Sequence, residues 1–396
     1  MTSNNKSYTS AFVFLTTLFF CGGLSPFLVD PLIPRLKEVF ELTNYQSGLI
    51  QFSFFGAYFL LSIPAGFILS KIGYKKGIVL GWLIMSIGCL LFYPAASSRI
   101  YIVFLFAVFI LASGMTVLQV AANPYVAALG PEKSVSSRLN FSQAFNSVGT
   151  AIAPAVGAML ILSDDIKTSE EIAILTETAK QEYFNAEASA VQLPFLGIAG
   201  LAFLLALIFV FVKLPKILNA EAPKEGYATV WKNKYLRMGA LGIFVYVGAE
   251  VSIGSYLVDY FLEMKLYDSI KSSELFKGFA ESLLSKDLTE VDNKATVGAF
   301  VTFYWSAAMI GRFIGAYLTK IFKPGLILVV FAVGAISMVG ISMSSSGFLA
   351  MGFILAVGLF NSIMFPTIFT LAIDGLDDLR PQASGILCTM IVGGAS

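Results

Sequence analysis

Glu250 stands thirteen residues from Arg237 and thirteen from Glu263, which on a helix separates it by about 20 Å from either charge. An ionised carboxylate held in hydrocarbon costs roughly 2.5 to 3.5 kcal/mol on insertion scales, and low-dielectric surroundings favour the neutral acid. Two roles are open to such a residue: a permanently protonated hydrogen-bonding group, or an acid that releases its proton when water reaches it. Asp30 poses a related question. It follows nineteen residues without a charge, from Ala11 to Val29, so it sits either at a membrane rim with its side chain in water or inside the membrane. Pro26, Pro31 and Pro34 break regular hydrogen bonding around it, which is tolerated where protein or a cavity supplies partners. The third unusual charge is Arg312, eight residues before Lys320 and so about 12 Å from the helix end. It is expected to snorkel or to pair across helices rather than to touch a ligand.

Amides accompany these charges at helical spacing. Thr116, Gln119 and Asn123 fall on one face of one helix, and Asn140, Gln143, Ser147 and Thr150, with Asn146 beside them, form a stripe on the next. An amide both donates and accepts hydrogen bonds, so two stripes suit a neutral ligand rich in hydroxyls. The competing use is hydrogen bonding between helices, worth well under 2 kcal/mol per contact in membranes. Aromatic faces can cover the apolar side of a ring in such a ligand. Among Trp82, Trp305, Tyr246 and Tyr256, Trp305 and Tyr246 are expected at the site, and with 14% aromatic residues most rings pack or face lipid.

The elements that must position these groups follow from composition. Hydrophobic residues make up 57% of the 396 and charged ones only 13%, against roughly 25% charged in a soluble domain, so the chain is read as an all-α integral membrane protein. Spans of about 20 apolar residues fall near 9–29, 47–69, 77–95, 100–128, 139–163, 193–213, 238–262, 296–318, 325–343 and 347–371. An eleventh opens at Gln382, leaving the last one to two helices truncated or missing. The first span lacks a small-residue cleavage site and is followed by many like it, so it is not a removable signal. Most of the 26 Lys and Arg lie on the side that makes the N-terminus cytoplasmic, in a cell inner membrane. A net charge of +1 gives no footprint for nucleic acid. No histidine is present, and no nucleophile motif, metal-ligand cluster or phosphate loop. An enzyme, a metal site and a cofactor are therefore not expected. Cys21, Cys89 and Cys388 lie in apolar runs and are read as buried thiols.

The sequence also repeats. "SFFGAYFLLSIPAGFILSKI" registers with "TFYWSAAMIGRFIGAYLTKI", matching Gly66 to Gly315 and Lys71 to Lys320. A second register pairs Gln119 with Asn361, Pro124 with Pro366 and Arg138 with Arg380, and "LVD" closes both span 1, at Asp30, and span 7, at Asp259. Two pseudo-symmetric six-helix halves are expected, 1–213 and 238–396, joined by a cytoplasmic linker at 214–237. Such repeats build many secondary transporters, with substrate near the midplane between them.

The turn "GFILSKIGYKKG" is similar to the glycine and basic signature of the major facilitator superfamily, with Ser70 where an aspartate is usual. "QVAANPYVAALGPE", "SRLNFSQAFNSVGTAIAP", "LVDPLIPRLKEVF", "YVGAEVSIGSYLVDYF" and "NSIMFPTIFTLAIDGL" resemble the fucose, galactose and glucose:proton symporter family within it, with motifs nearest to glucose/galactose transporters. The resemblance implies the twelve-helix major facilitator fold and a monomeric carrier of a monosaccharide coupled to a cation, usually a proton, with sodium as the alternative. A facilitative carrier and a sugar-sensing receptor on the same scaffold remain open. It further implies that Asp30 belongs to the cavity and the coupling machinery, although Phe27 and Val29 replace polar residues beside it. Fucose-type relatives carry a glutamate where this chain has Gln119. With a glutamine there, proton coupling is expected to move to Glu250 with Asp30, and the substrate to meet Gln119, Asn123, Gln143, Asn146, Asn361, Tyr246 and Trp305.

Overall fold

The computed structural model describes residues 2–27, 44–160, 174–218, 226–284, 286–289 and 291–395. Its main helices are α1 Thr2–Phe27, α2 Asn44–Ile72, α3 Tyr74–Ser98, α4 Tyr101–Ala128, α5 Val135–Leu160, α6 Glu177–Phe211, α7 Lys234–Glu263, α8 Val301–Ile321, α9 Pro324–Met343, α10 Gly347–Ala372 and α11 Arg380–Thr389. No strand occurs among the described residues.

Eight described helices are long and apolar enough to cross a membrane, and the apolar part of α1, Thr9–Leu24, is shorter. α5 is not among the eight, because its amide and hydroxyl stripe lowers its hydropathy. That stripe is the first sign that α5 faces an interior space. The span expected at 193–213 is the second half of a 35-residue helix, α6. It begins at the N-cap Thr176, whose hydroxyl accepts a hydrogen bond from Ala179 N at 3.3 Å. The acid-rich segment before 193 reads as loop by charge, but Glu, Ala and Lys are strong helix formers, and the helix continues through it.

Local chemistry fixes the other ends. The Asn233 side chain caps α7, accepting from Tyr235 N at 2.8 Å and Leu236 N at 3.1 Å. Pro324 opens α9 at a position where a missing N–H costs nothing. Gly73, with φ at 82°, makes the tight turn between α2 and α3. Beside it Ser70 donates to Phe67 O, and Lys75 reaches Val210 O at 2.8 Å.

Two interior prolines create openings that other helices fill. A proline removes one helical hydrogen bond and frees the carbonyl four residues earlier. Pro366 frees Ser362 O, where α10 is interrupted between Asn361 and Met364, and Arg312 Nε of α8 donates to that carbonyl at 3.2 Å. Pro124 frees Val120 O on α4, and Ser384 Oγ of α11 donates to it at 2.9 Å. These positions correspond under the register that pairs Pro124 with Pro366.

Within the first six helices, α3 packs on α4 and α6, α1 on α5, and α2 on α4; later, α8 and α9 pack on α10, and α7 on the end of α10. The two groups meet through α2 with α11 and α5 with α8. Some of their joining contacts lie at the end of the bundle that carries the segment between α6 and α7, called here the linker face. There Ser136 and Thr370 hydroxyls lie 2.6 Å apart, Asn140 Nδ2 donates to Thr367 Oγ1 at 3.1 Å, and Ser137 Oγ donates to Ala316 O at 2.6 Å. Gly66 of α2 meets Gly385 and Pro381 of α11, and the linker residue Tyr227 seats its hydroxyl beside both glycines and donates to Ile63 O.

Candidate functional site

A cavity of about 210 Å³ lies at mid-bundle, walled by α1, α3, α4, α5, α7, α8 and α10 and by Ile391 just past α11. Its polar wall is built by Gln119, Gln143, Asn146, Tyr246, Glu250 and Arg312, and its apolar wall includes Phe19, Met115, Leu118 and Phe365. This mixture of a few placed polar groups on an apolar lining is usual for small-ligand sites, and the volume falls below the roughly 300–1,000 Å³ typical of drug-sized ligands.

Four of the polar wall residues are held by neighbours. Gln119 Nε2 donates to Tyr58 Oη at 3.0 Å, and Tyr58 is fully enclosed between helices. Gln143 Nε2 donates to Asn123 Oδ1 at 3.2 Å. Asn146 Nδ2 donates to Phe19 O at 3.0 Å across a close crossing of α1 and α5. That crossing requires Gly23 and Gly149, where a Cβ would stand 2.1 Å from Asn146 O and 2.2 Å from Phe20 O. Arg312 donates to Gln143 O at 3.2 Å and to the Ser147 hydroxyl, besides its bond to Ser362 O. One guanidinium thus joins α8, α5 and α10 at the cavity edge.

Glu250 lies at the middle of α7, one turn beyond Tyr246. Glu250 and Arg312 both line the cavity without forming an ion pair with each other.

The sequence-derived candidates separate into two sets. Gln119, Gln143, Asn146, Tyr246 and Glu250 line the cavity. Asn123 and Asn361 do not: Asn123 is fully buried behind Gln143, and Asn361 donates to Tyr304 Oη at 3.0 Å between α10 and α8. Trp305 also stands off the cavity, with its indole against Gly254 of α7, one turn beyond Glu250, and 42% exposed. Trp82 is buried in the packing of the first six helices and Tyr256 is exposed. Asp30 lies outside the described residues, and so does its comparison in depth with Asp259. Arg312, expected in a structural role, both bridges helices and lines the cavity. Its signal was plain in the sequence: a charge within an apolar run. A second groove, of about 820 Å³, runs between the start of α2 and the outer part of α7, with Gly394 and Ala395 also in its wall.

A bundle of membrane-length helices in two packed groups, with a small polar cavity at mid-depth where they meet, defines a polytopic membrane protein of the transporter type. The chain belongs to the major facilitator superfamily, whose family model matches residues 15–396. It is 46% identical over its whole length to a glucose/galactose transporter of Brucella abortus, covering 87% of that protein. It is 34% identical to an L-fucose-proton symporter of Escherichia coli, over 98% of this chain and 86% of that one. Among solved structures it superposes on the major facilitator transporter FucP in its outward conformation, with a TM-score of 0.85, 31% identity, and coverage of 98% and 90% of the two chains.

If Gln143 and Asn146 serve a ligand rather than helix packing, alanine at either weakens its binding roughly tenfold, the equivalent of about 1.4 kcal/mol, while the protein stays folded in the membrane. Titration calorimetry on purified variants checks this, and wild-type affinity in both would leave packing as their role.

Proposed function

We propose that the chain is a secondary active transporter that imports a monosaccharide of the glucose or galactose kind together with a proton, by alternating access. The observation that carries this reading is the cavity wall, where amides of α4 and α5 face Glu250 and Arg312 of α7 and α8. Sugar hydroxyls both give and take hydrogen bonds, and amides answer both needs. The relatives named as glucose/galactose transporter and fucose-proton symporter support the substrate class and the coupling ion.

In this reading residues 1–213 and 238–396 are the two bodies that rock against each other, and 214–237 is the cytoplasmic linker. In the same reading the linker face is cytoplasmic, which the Lys and Arg bias supports, and the membrane is the cell inner membrane. Contacts gathered at the linker face then describe an outward-facing carrier, in keeping with the outward conformation of FucP. The substrate contacts are Gln119, Gln143, Asn146 and Tyr246. Glu250 carries the proton, with Asp30 as the second acid, since Gln119 cannot titrate. Asn123, Asn361 and Trp305 support the site from behind or above it, and the carrier works as a monomer.

Uptake by purified protein in proteoliposomes tests this. Labelled glucose, galactose, fucose, mannose and N-acetylglucosamine are offered under an imposed proton or sodium gradient. Accumulation of glucose or galactose driven by protons is expected. Accumulation driven only by sodium, equilibration without accumulation, or binding without uptake would point instead to a sodium symporter, a facilitative carrier or a sensor.

A further inference from the structure

The connection between α7 and α8 contains an 11-residue helix, Glu274–Leu284, at the end of the bundle remote from the linker. Its inner side is fixed to the protein. Phe276 stacks on Phe348 at the start of α10, with ring centres 4.0 Å apart and planes 12° from parallel, and Ala280 is fully buried. Its charged pair, Lys277 and Glu281 at 3.6 Å, is turned to the flank, where Glu281 also accepts from Leu288 N at 3.3 Å. The side left uncovered is the apolar one. Leu275 is 65% exposed, Phe279 48% and Leu283 44%, and spacings of four place all three on one face. The residues between them on that face, Gly278 and Ser282, carry no charge.

What meets this face is indicated by its neighbour. Phe279 makes an edge contact with Phe303, ring centres 6.4 Å apart, and Phe303 begins a stripe of exposed apolar residues on α8 that continues through Ile310, Ile314, Tyr317 and Ile321. That stripe runs the length of a membrane-crossing helix, so it faces lipid. The Leu275, Phe279 and Leu283 face extends it sideways at the rim. We infer that helix Glu274–Leu284 lies in the plane of the membrane interface, its Leu275, Phe279 and Leu283 face set into the boundary between headgroups and acyl chains of the bilayer that holds α8. An amphipathic helix of this kind buries its apolar face about 5–10 Å into that boundary. Clamped to α10 through Phe276 and continuous with α8 through Phe279, it fixes the depth of both helices at that rim.

The test places a nitroxide at Leu275→Cys and, separately, at Leu283→Cys in the full chain carrying Cys21→Ser, since Cys89 and Cys388 are buried. Lys286→Cys, exposed and just past the helix, is the reference. In vesicles of phosphatidylcholine and phosphatidylglycerol, both helix positions should show a several-fold higher ratio of collisions with oxygen to collisions with a water-soluble nickel chelate than position 286. Equal ratios at all three would place the face in water. Low collision rates with both agents at 275 and 283 would mean that protein covers it. Either result overturns the inference.

Discussion

If the proposed role of Glu250 holds, replacing it by glutamine is expected to abolish sugar accumulation against a gradient while sparing exchange of sugar between equal pools. The substitution keeps the size and the hydrogen bonding of the side chain beside Tyr246 but removes its ability to take up a proton. Net symport requires that the carrier return with a different protonation state from the one in which it arrived, whereas exchange never needs the proton to leave. The effect is expected to be near-complete, because Gln119 occupies the position where fucose-type relatives have a glutamate and no second acid lines the cavity among the described residues. Proton-driven uptake and counterflow, measured side by side in proteoliposomes, separate the two activities. Normal driven uptake in Glu250→Gln moves the role to Asp30, and normal uptake in the Asp30→Asn variant as well argues against a carboxylate carrier of the proton.

The second large effect is conformational. Gly66 and Gly385 let α2 and α11 touch backbone to backbone at the linker face, and a Cβ on Gly66 would stand 2.5 Å from Pro381 O and 2.8 Å from the Tyr227 hydroxyl. The carbonyl belongs to a helix start and cannot rotate away, so Gly66→Val pries the seal open. Overpacking of this kind costs about 1–3 kcal/mol, enough to shift a two-state balance by roughly tenfold or more. The penalty falls only on the state in which the linker face is closed. The variant should therefore favour the opposite state. Ala316→Cys, buried against Ser137 in the seal, reports this: its alkylation should accelerate severalfold in Gly66→Val, and an unchanged rate would show that this crossing is not part of a moving seal. Tyr227→Phe, which removes only the hydroxyl bonded to Ile63 O, should change the rate in the same direction by less.

Much of this architecture was legible in the sequence because hydrocarbon permits few alternatives: apolar runs of sufficient length become helices. Helix periodicity placed Gln119, Gln143 and Asn146 on faces that meet at the cavity, and the isolation of Glu250 marked the middle of α7. What periodicity lacks is the partner. Gln119 and Asn123 share a face of α4, yet one reaches the cavity and the other is screened by Gln143 from α5, a difference that depends on the crossing of two helices. Asn361 met the same fate through Tyr304. Trp305 faces Gly254 because the glycine leaves room for an indole there, a fit between residues far apart in sequence. The length of α6 was hidden by its charge, and the double duty of Arg312 depends on the carbonyl freed by Pro366.

The most direct test of the central claim is an experimental structure of the protein with bound glucose or galactose. The sugar is expected at mid-bundle with its hydroxyls within hydrogen-bonding distance of Gln143 or Asn146 on one side and of Glu250 on the other. A sugar bound elsewhere, or touching only one of the two helix groups, would contradict the account.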